Sequence, residues 1–284
     1  MSLVSLIKNA MIPSDIARRV DAIELPWSTY GIDPYGVSKE SLRSFFTLLR
    51  VLSTDYFSVH SHGIENIPER GRAMLIGNHS GGVAIDASIV IGTIFFDLPR
   101  PRLAQGMAEK FINKMPFASE WTSRTGQFPG LPEHAKRLLE EDRLLLVFPE
   151  GARGTAKLYV ERHSLVKFGT GFMRLALETK TPIIPFACLG GGEALPTIAN
   201  AYELGKLVGA PYIPITPYLL PVPLPVRWDV YFGAPMRFDG TGNEEDEVVQ
   251  RHVDSVKDRI ARMIEAGKSA VKERRDASGK ESFR

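Results

Sequence analysis

The chain has one cysteine, Cys188, among its 284 residues, so it can form no internal disulfide and must be stabilised by burial. Cys188 lies in the apolar run Ile184-Pro185-Phe186-Ala187-Cys188-Leu189, which reads as a core strand, and an unpaired core thiol is expected of a cytoplasmic chain. An excess of charge of one sign is lacking too. With 35 Lys and Arg against 33 Asp and Glu the formal charge is +2, and the cations are interspersed with acids, which argues against a nucleic-acid partner. No apolar run reaches the roughly 18 residues that a spanning helix needs, so no transmembrane helix is predicted. A short apolar stretch, Leu3 to Ile12, ends at Pro13 without a small-residue cleavage site, so no secretory signal is expected. Gly190-Gly191-Gly192 has the spacing of neither a dinucleotide fingerprint nor a phosphate-cradling loop, which leaves nucleotide hydrolysis without support. A G-x-S-x-G elbow is missing as well: in Gly77-Asn78-His79-Ser80-Gly81 the serine falls one place late, against a serine hydrolase.

What is present is an ordinary globular composition, 44% hydrophobic and 24% charged, enough for one substantial core. Short apolar runs bounded by Gly and Pro, at Ala73-Met74-Leu75-Ile76, Arg102 to Gly106, Leu144 to Phe148, Ile183 to Cys188 and Arg227 to Phe232, read as strands. Helical periodicity lies between them, over Val83 to Phe96, from Pro132 at a first-turn position, and over Leu165 to Thr179. The alternation predicts an α/β fold, a layered and largely parallel central sheet flanked by helices. Amphipathic N-terminal helices are expected over residues 1–56, the α/β domain over 57–240, and a C-terminal helix with a charged tail over 241–284, packed on the same domain.

Two amphipathic stretches bear on partners. Leu42, Phe45, Phe46, Leu49 and Leu52 form a helical stripe within Ser38 to Ser53, a face that packs on the core or lies in a lipid surface, where residues 1–12 would assist. From Pro211 to Pro225 prolines alternate with Tyr212, Ile213, Ile215, Tyr218, Leu219, Leu220, Val222 and Leu224, a segment that wraps the core or touches lipid. Phe111, Met115, Phe117 and Trp121 read as core or as acyl-chain lining. His60 and His62 share a strand face but have no third ligand near, so no metal site is expected.

The chemistry concentrates where two strands end. His79 follows the first run, in Gly77-Asn78-His79-Ser80-Gly81-Gly82, and Asp86 stands on the next helix, placed to hold the imidazole as a general base. Leu144 to Phe148 runs into Pro149-Glu150-Gly151-Ala152-Arg153-Gly154; Glu150 and Arg153 could hold a polar head or simply pair with each other. Together, Asn78-His79 with a following aspartate, Phe148-Pro149-Glu150-Gly151-x-Arg153, Lys167-Phe168-Gly169-Thr170-Gly171 and Thr181-Pro182-Ile183-Ile184-Pro185 resemble the glycerolipid acyltransferase family, which includes the lysophosphatidic acid and glycerol-3-phosphate acyltransferases. The resemblance covers roughly residues 57–235. It implies acyl transfer from a thioester, on coenzyme A or acyl carrier protein, to a glycerolipid hydroxyl such as that of lysophosphatidic acid, in phospholipid synthesis at a membrane surface. The same resemblance implies that His79 and Asp86 are catalytic, that Glu150, Gly151 and Arg153 order the acceptor's head, and that no cofactor is required; Lys157 and Lys167 read as further phosphate contacts, on acceptor or coenzyme A, or as solvated loop lysines.

Two features depart from the family pattern. Six residues, Ser80 to Ile85, separate His79 from Asp86, more than is usual, with Gly81 and Gly82 able to absorb the extra length. Near Gly126-Gln127-Phe128-Pro129-Gly130 the position expected to hold an arginine is Pro132, which removes a phosphate contact. A neutral acceptor, mono- or diacylglycerol, and a non-catalytic peripheral lipid-binding protein therefore stand as alternatives.

Overall fold

The computed structural model describes residues 12–82, 84–108, 118–207 and 209–281. The expectation that residues 1–12 assist at a lipid surface, but for Ile12, and that of Phe111, Met115 and Phe117 as core or acyl-chain lining, lie outside the described residues.

Nine strands are formed: β1 Ser58–His62, β2 Ala73–Gly77, β3 Ala104–Ala108, β4 Gln127–Pro129, β5 Leu144–Val147, β6 Ile183–Leu189, β7 Ala199–Ala201, β8 Ile213–Ile215 and β9 Arg227–Phe232, among the described residues. Seven of them make one sheet in the order β1-β9-β6-β2-β5-β3-β4. All neighbours are parallel except β6 and β9. The central strands show why: β2 and β6 are buried at every position, as apolar runs must be when helices cover both faces. The remaining two, β7 and β8, pair as a separate antiparallel ribbon in the connection from β6 to β9.

Helices α1 Ser14–Asp21, α2 Lys39–Arg50, α3 Ile85–Asp97, α4 Ala118–Arg124, α5 Pro132–Glu140, α6 Gly171–Thr179 and α7 Asp246–Glu281 flank the sheet. Ser38 caps α2, its hydroxyl accepting from the Ser41 amide. The stripe of α2 is settled by packing: Leu42, Phe45, Phe46 and Leu49 are buried, and Phe46 stacks on Phe95 of α3 with ring centroids 3.5 Å apart. That face is therefore core and not a lipid-facing surface. On α7, Val249, Val253, Val256 and Ile260 are buried against the same apolar core, with Ile264 completing the stripe.

One expected helix is shorter than its periodicity. Leu165 to Thr170 is irregular and α6 begins only at Gly171, because the Val166 amide donates to Glu150 and the Gly169 amide to the Pro149 carbonyl. Both acceptors belong to the loop after β5, and with these amides committed to them the helix does not start earlier. Among the described residues no helix is long and apolar enough to cross a membrane.

Candidate active site

Parallel strands deliver their following loops to one end of the sheet. There the loops after β2, β5 and β6 meet. His79 lies two residues beyond β2, and its Nδ1 is 2.8 Å from Asp86 Oδ2. The longer separation does close. Gly81 and Gly82 adopt φ of +90° and +67°, a region costly for other residues, and the turn brings Asp86, in the first turn of α3, under the imidazole. Asp86 is fully buried and also accepts from the Ser80 and Ala87 amides at 2.8 and 2.9 Å. Its carboxylate is thus fixed from three sides, and the imidazole is held by Nδ1 while Nε2 has no hydrogen-bond partner among the described residues. Phe148 stacks on the ring at 4.1 Å and sets its plane.

The second loop supports the first from behind. Glu150 Oε1 accepts from the His79 amide at 2.8 Å, its Oε2 accepts from the Val166 amide at 2.9 Å, and Lys157 Nζ lies 3.0 Å away. Lys157 donates onward to the Ser164 carbonyl. Both ionic groups are nearly inaccessible, so the structure brings Glu150 and Lys157 together as a buried pair behind His79. Gly151 begins the turn with φ +57°. Arg153 and Lys167 are exposed, and no hydrogen bond or ion pair ties either among the described residues. The alternative in which Glu150 pairs with Arg153 is replaced by Glu150 with Lys157.

Several positioning residues were not singled out from sequence. A Cβ at Gly154 would lie 2.7 Å from His79 Cβ and 2.8 Å from Glu150 Cβ, so the two loops approach this closely only over a glycine. Asn78 exchanges two hydrogen bonds with the Cys188 backbone, at 2.9 and 2.8 Å, pinning the histidine loop to β6. Cys188 itself is buried, which pushes its thiol well above the ordinary range, consistent with an inert core side chain. Tyr212, beside the ribbon, sits 2.9 Å from the Gly82 carbonyl and 2.5 Å from the Thr155 hydroxyl; burial pushes its phenol up to about 12, so it stays protonated. Only the Asn-His pairing in the motif hinted at any of these, because the others act across loops distant in sequence.

Glu193 clamps the third loop to the second. Its Oε1 receives Arg162 at 2.7 Å and lies 3.2 Å from His163 Nε2. Burial opposes its charge, but the hydrogen bonds from His163 and Arg162 outweigh that and hold it at about 2, below the free value of 4.5. A depressed carboxylate stabilises the fold above its unfolded value and loses that contribution as pH falls through the folded one, here from about 4.5 to about 2. Up to about 3 kcal/mol is involved. The unfolding free energies of wild type and Glu193→Gln should therefore converge across that window; a gap that widens in acid would contradict the clamp.

Beside the second loop lies an apolar groove of about 640 Å³, lined by Met107, Leu131, Pro132, Val147, Phe172 and Leu175 among others. Pro132, where a family arginine was expected, is therefore part of an apolar wall. His60 and His62 are engaged elsewhere, with Ser58 and Asp229.

The Acyltransferase family model matches residues 58–189, from the first residue of β1 to the last of β6. An uncharacterized protein of Mycobacterium tuberculosis is 30% identical over 269 residues, 89% of this chain and 75% of its own length. The human protein named DGAT1/2-independent enzyme synthesizing storage lipids is 28% identical, over 75% of this chain and 65% of its own. In fold, the crystal structure of the 1-acyl-sn-glycerophosphate (LPA) acyltransferase PlsC from Thermotoga maritima matches with a TM-score of 0.56 at 16% identity, covering 81% of this chain and 82% of that one. With both sequence motifs inside the matched segment, the chain belongs to the Acyltransferase family, and its fold is shared with that acyltransferase structure.

Proposed function

We propose that this acyltransferase moves a fatty acyl group from an acyl thioester, on coenzyme A or acyl carrier protein, to a hydroxyl of a glycerolipid acceptor at a membrane surface facing the cytoplasm. The observation that carries the reading is the His79–Asp86 pair, closed at 2.8 Å with the ring held by Phe148. Nε2 takes the acceptor's hydroxyl proton as its oxygen attacks the thioester carbonyl. The new ester C–O bond forms, the C–S bond breaks, and the imidazolium returns the proton to the leaving thiolate. Asp86 keeps Nδ1 protonated and steadies the imidazolium, as an acid does in a hydrolase triad, with the substrate's own hydroxyl in place of a serine. The apolar groove beside Val147 offers room for an acyl chain.

For the acceptor, the exposed Arg153 is the contact available to a phosphate, with Lys167 as a further cation on the following loop. Glu150 and Gly151 then serve the acceptor indirectly, by shaping the loop that presents Arg153. A lysophospholipid such as lysophosphatidic acid, in phospholipid synthesis, is the acceptor on this reading, with weakened discrimination. A second reading, a neutral mono- or diacylglycerol acceptor, is favoured by Pro132 in the groove wall and by Lys157 being committed to Glu150.

Arg153→Ala separates the two. A charge-assisted contact is worth about 1.5–3 kcal/mol, so kcat/KM for lysophosphatidic acid should fall roughly ten- to hundredfold while that for monoacylglycerol barely moves. Equal losses would make Arg153 structural, and a wild-type preference for monoacylglycerol would select the neutral acceptor.

A further inference from the structure

Between β6 and β9 the chain leaves the main sheet, and the excursion is short of charge. From Leu195 to Val226 only Glu203 and Lys206 are charged, in a protein that is 24% charged overall, and these two pair with each other at 2.6 Å. Yet the excursion is not buried. Leu207 is 81% and Leu219 79% exposed, and Ile198, Tyr202, Leu220 and Val222 are exposed with them. Leu219 also holds φ +66°, where leucine is disfavoured. Neither core packing nor backbone preference accounts for a leucine there. Pro217, Pro221, Pro223 and Pro225 stiffen the segment, so its apolar side chains cannot fold inward cheaply.

The apolar face continues beyond the excursion. The Tyr56 hydroxyl donates to the Pro223 carbonyl at 2.5 Å, which ties the excursion to the helical turn following α2, and along that helical stretch Leu48 and Val51 are exposed. Tyr212 ties the excursion to the histidine loop through Gly82, so the face lies at the catalytic end of the sheet. Where the excursion leaves and rejoins the sheet, at Gly190 and Val226, opens a cleft of about 600 Å³. Its cations outnumber its acids: Arg227 and Arg274 share the single carboxylate of Asp229, at 3.0 and 2.7 Å, Arg162 is held by Glu193, and on α7 stand Lys272, Asp276 and Lys268, the last paired with Glu265 at 2.8 Å.

We propose that this face seats on an anionic lipid bilayer, with Leu207, Leu219 and Leu220 entering the boundary between headgroups and acyl chains and the Arg227–Lys272 cleft lying on anionic headgroups. An apolar, charge-poor centre carrying half-exposed tyrosines and flanked by cations is complementary to such a surface. The proposal rests on the reading that the acceptor is a membrane lipid, and it places the docking on the excursion between β6 and β9.

The test is flotation of the full chain with phosphatidylcholine vesicles, with and without phosphatidylglycerol. Wild type should float with both and more strongly with phosphatidylglycerol. Leu207→Asp with Leu220→Asp should weaken the vesicle affinity at least about tenfold, and Lys268→Gln with Lys272→Gln should remove the dependence on phosphatidylglycerol alone. A Leu220→Trp variant should show a blue shift of tryptophan emission with vesicles. Flotation unchanged in the leucine variant, emission from the Leu220→Trp variant that vesicles leave unshifted, or a wild type that stays with the supernatant each overturns the proposal. So does a solution dimer that the leucine variant dissociates without any vesicle binding by wild type, which would make the face a protein contact. Transfer to a short-chain, water-soluble acceptor keeps the two readings apart: the leucine variant should retain it. Absence of transfer in every protein, with flotation still lost in the variant, would remove the acyltransferase reading and leave the docking face standing.

Discussion

Replacing His79 by alanine is expected to lower kcat for acyl transfer by about 10² to 10⁴, the contribution of a positioned general base, while the protein stays folded. Folding should survive because the groups around the ring keep their partners. Asp86 still accepts from the Ser80 and Ala87 amides, and the His79 amide still donates to Glu150. Asp86→Asn should keep the geometry while weakening support for the imidazolium, so its loss should fall on kcat and spare KM. Steady-state kinetics beside near-ultraviolet circular dichroism measure both. A folded His79→Ala protein with wild-type kcat would falsify the role.

The second large effect is on stability. Glu150→Ala is expected to destabilise the protein by about 3–5 kcal/mol, because it leaves Lys157 buried without its counter-charge. The Nζ is 3.0 Å from Glu150, and the lysine and glutamate side chains are 3% and 0% exposed. The double variant Glu150→Ala with Lys157→Met should recover much of the loss, since no buried charge then lacks a partner. Activity should remain depressed in both, because the His79 amide loses its acceptor in either case. Denaturant midpoints of the three proteins decide the matter. A Glu150→Ala protein as stable as wild type, impaired only with a phosphate-bearing acceptor, would instead place Glu150 at the acceptor's head.

These two predictions also mark what could be read from the chain and what could not. Ala73 to Ile76 and Leu144 to Phe148 are local signals: an apolar run ending in glycine or proline announces a buried strand, and the loop after such a strand in a parallel sheet announces a site. His79, Asp86 and Glu150 were legible on that basis. The partner of Glu150 was not. Sequence offers Arg153 and Lys157 as cations, three and seven residues on, and only the path of the loop decides that the lysine turns inward while the arginine stays exposed. The α2 stripe was ambiguous for a related reason: amphipathicity marks an apolar face, and what covers it is a tertiary fact, here Phe95 on Phe46. The shortened α6 likewise follows from amides of Val166 and Gly169 bonded to a loop formed earlier in the chain, which no local periodicity records.

The central claim, transfer of an acyl group directly between two substrates by the His79–Asp86 pair, is tested most directly with purified protein and a thioester labelled in its acyl chain, presented as acyl-CoA or acyl carrier protein against lysophosphatidic acid and monoacylglycerol. The account predicts that label enters a glycerolipid ester as the thiol is released in equal amount, with no label on the protein and with product formation by His79→Ala slowed about 10²- to 10⁴-fold. Label held covalently by the protein, or thiol release without any acylated glycerolipid, would contradict it.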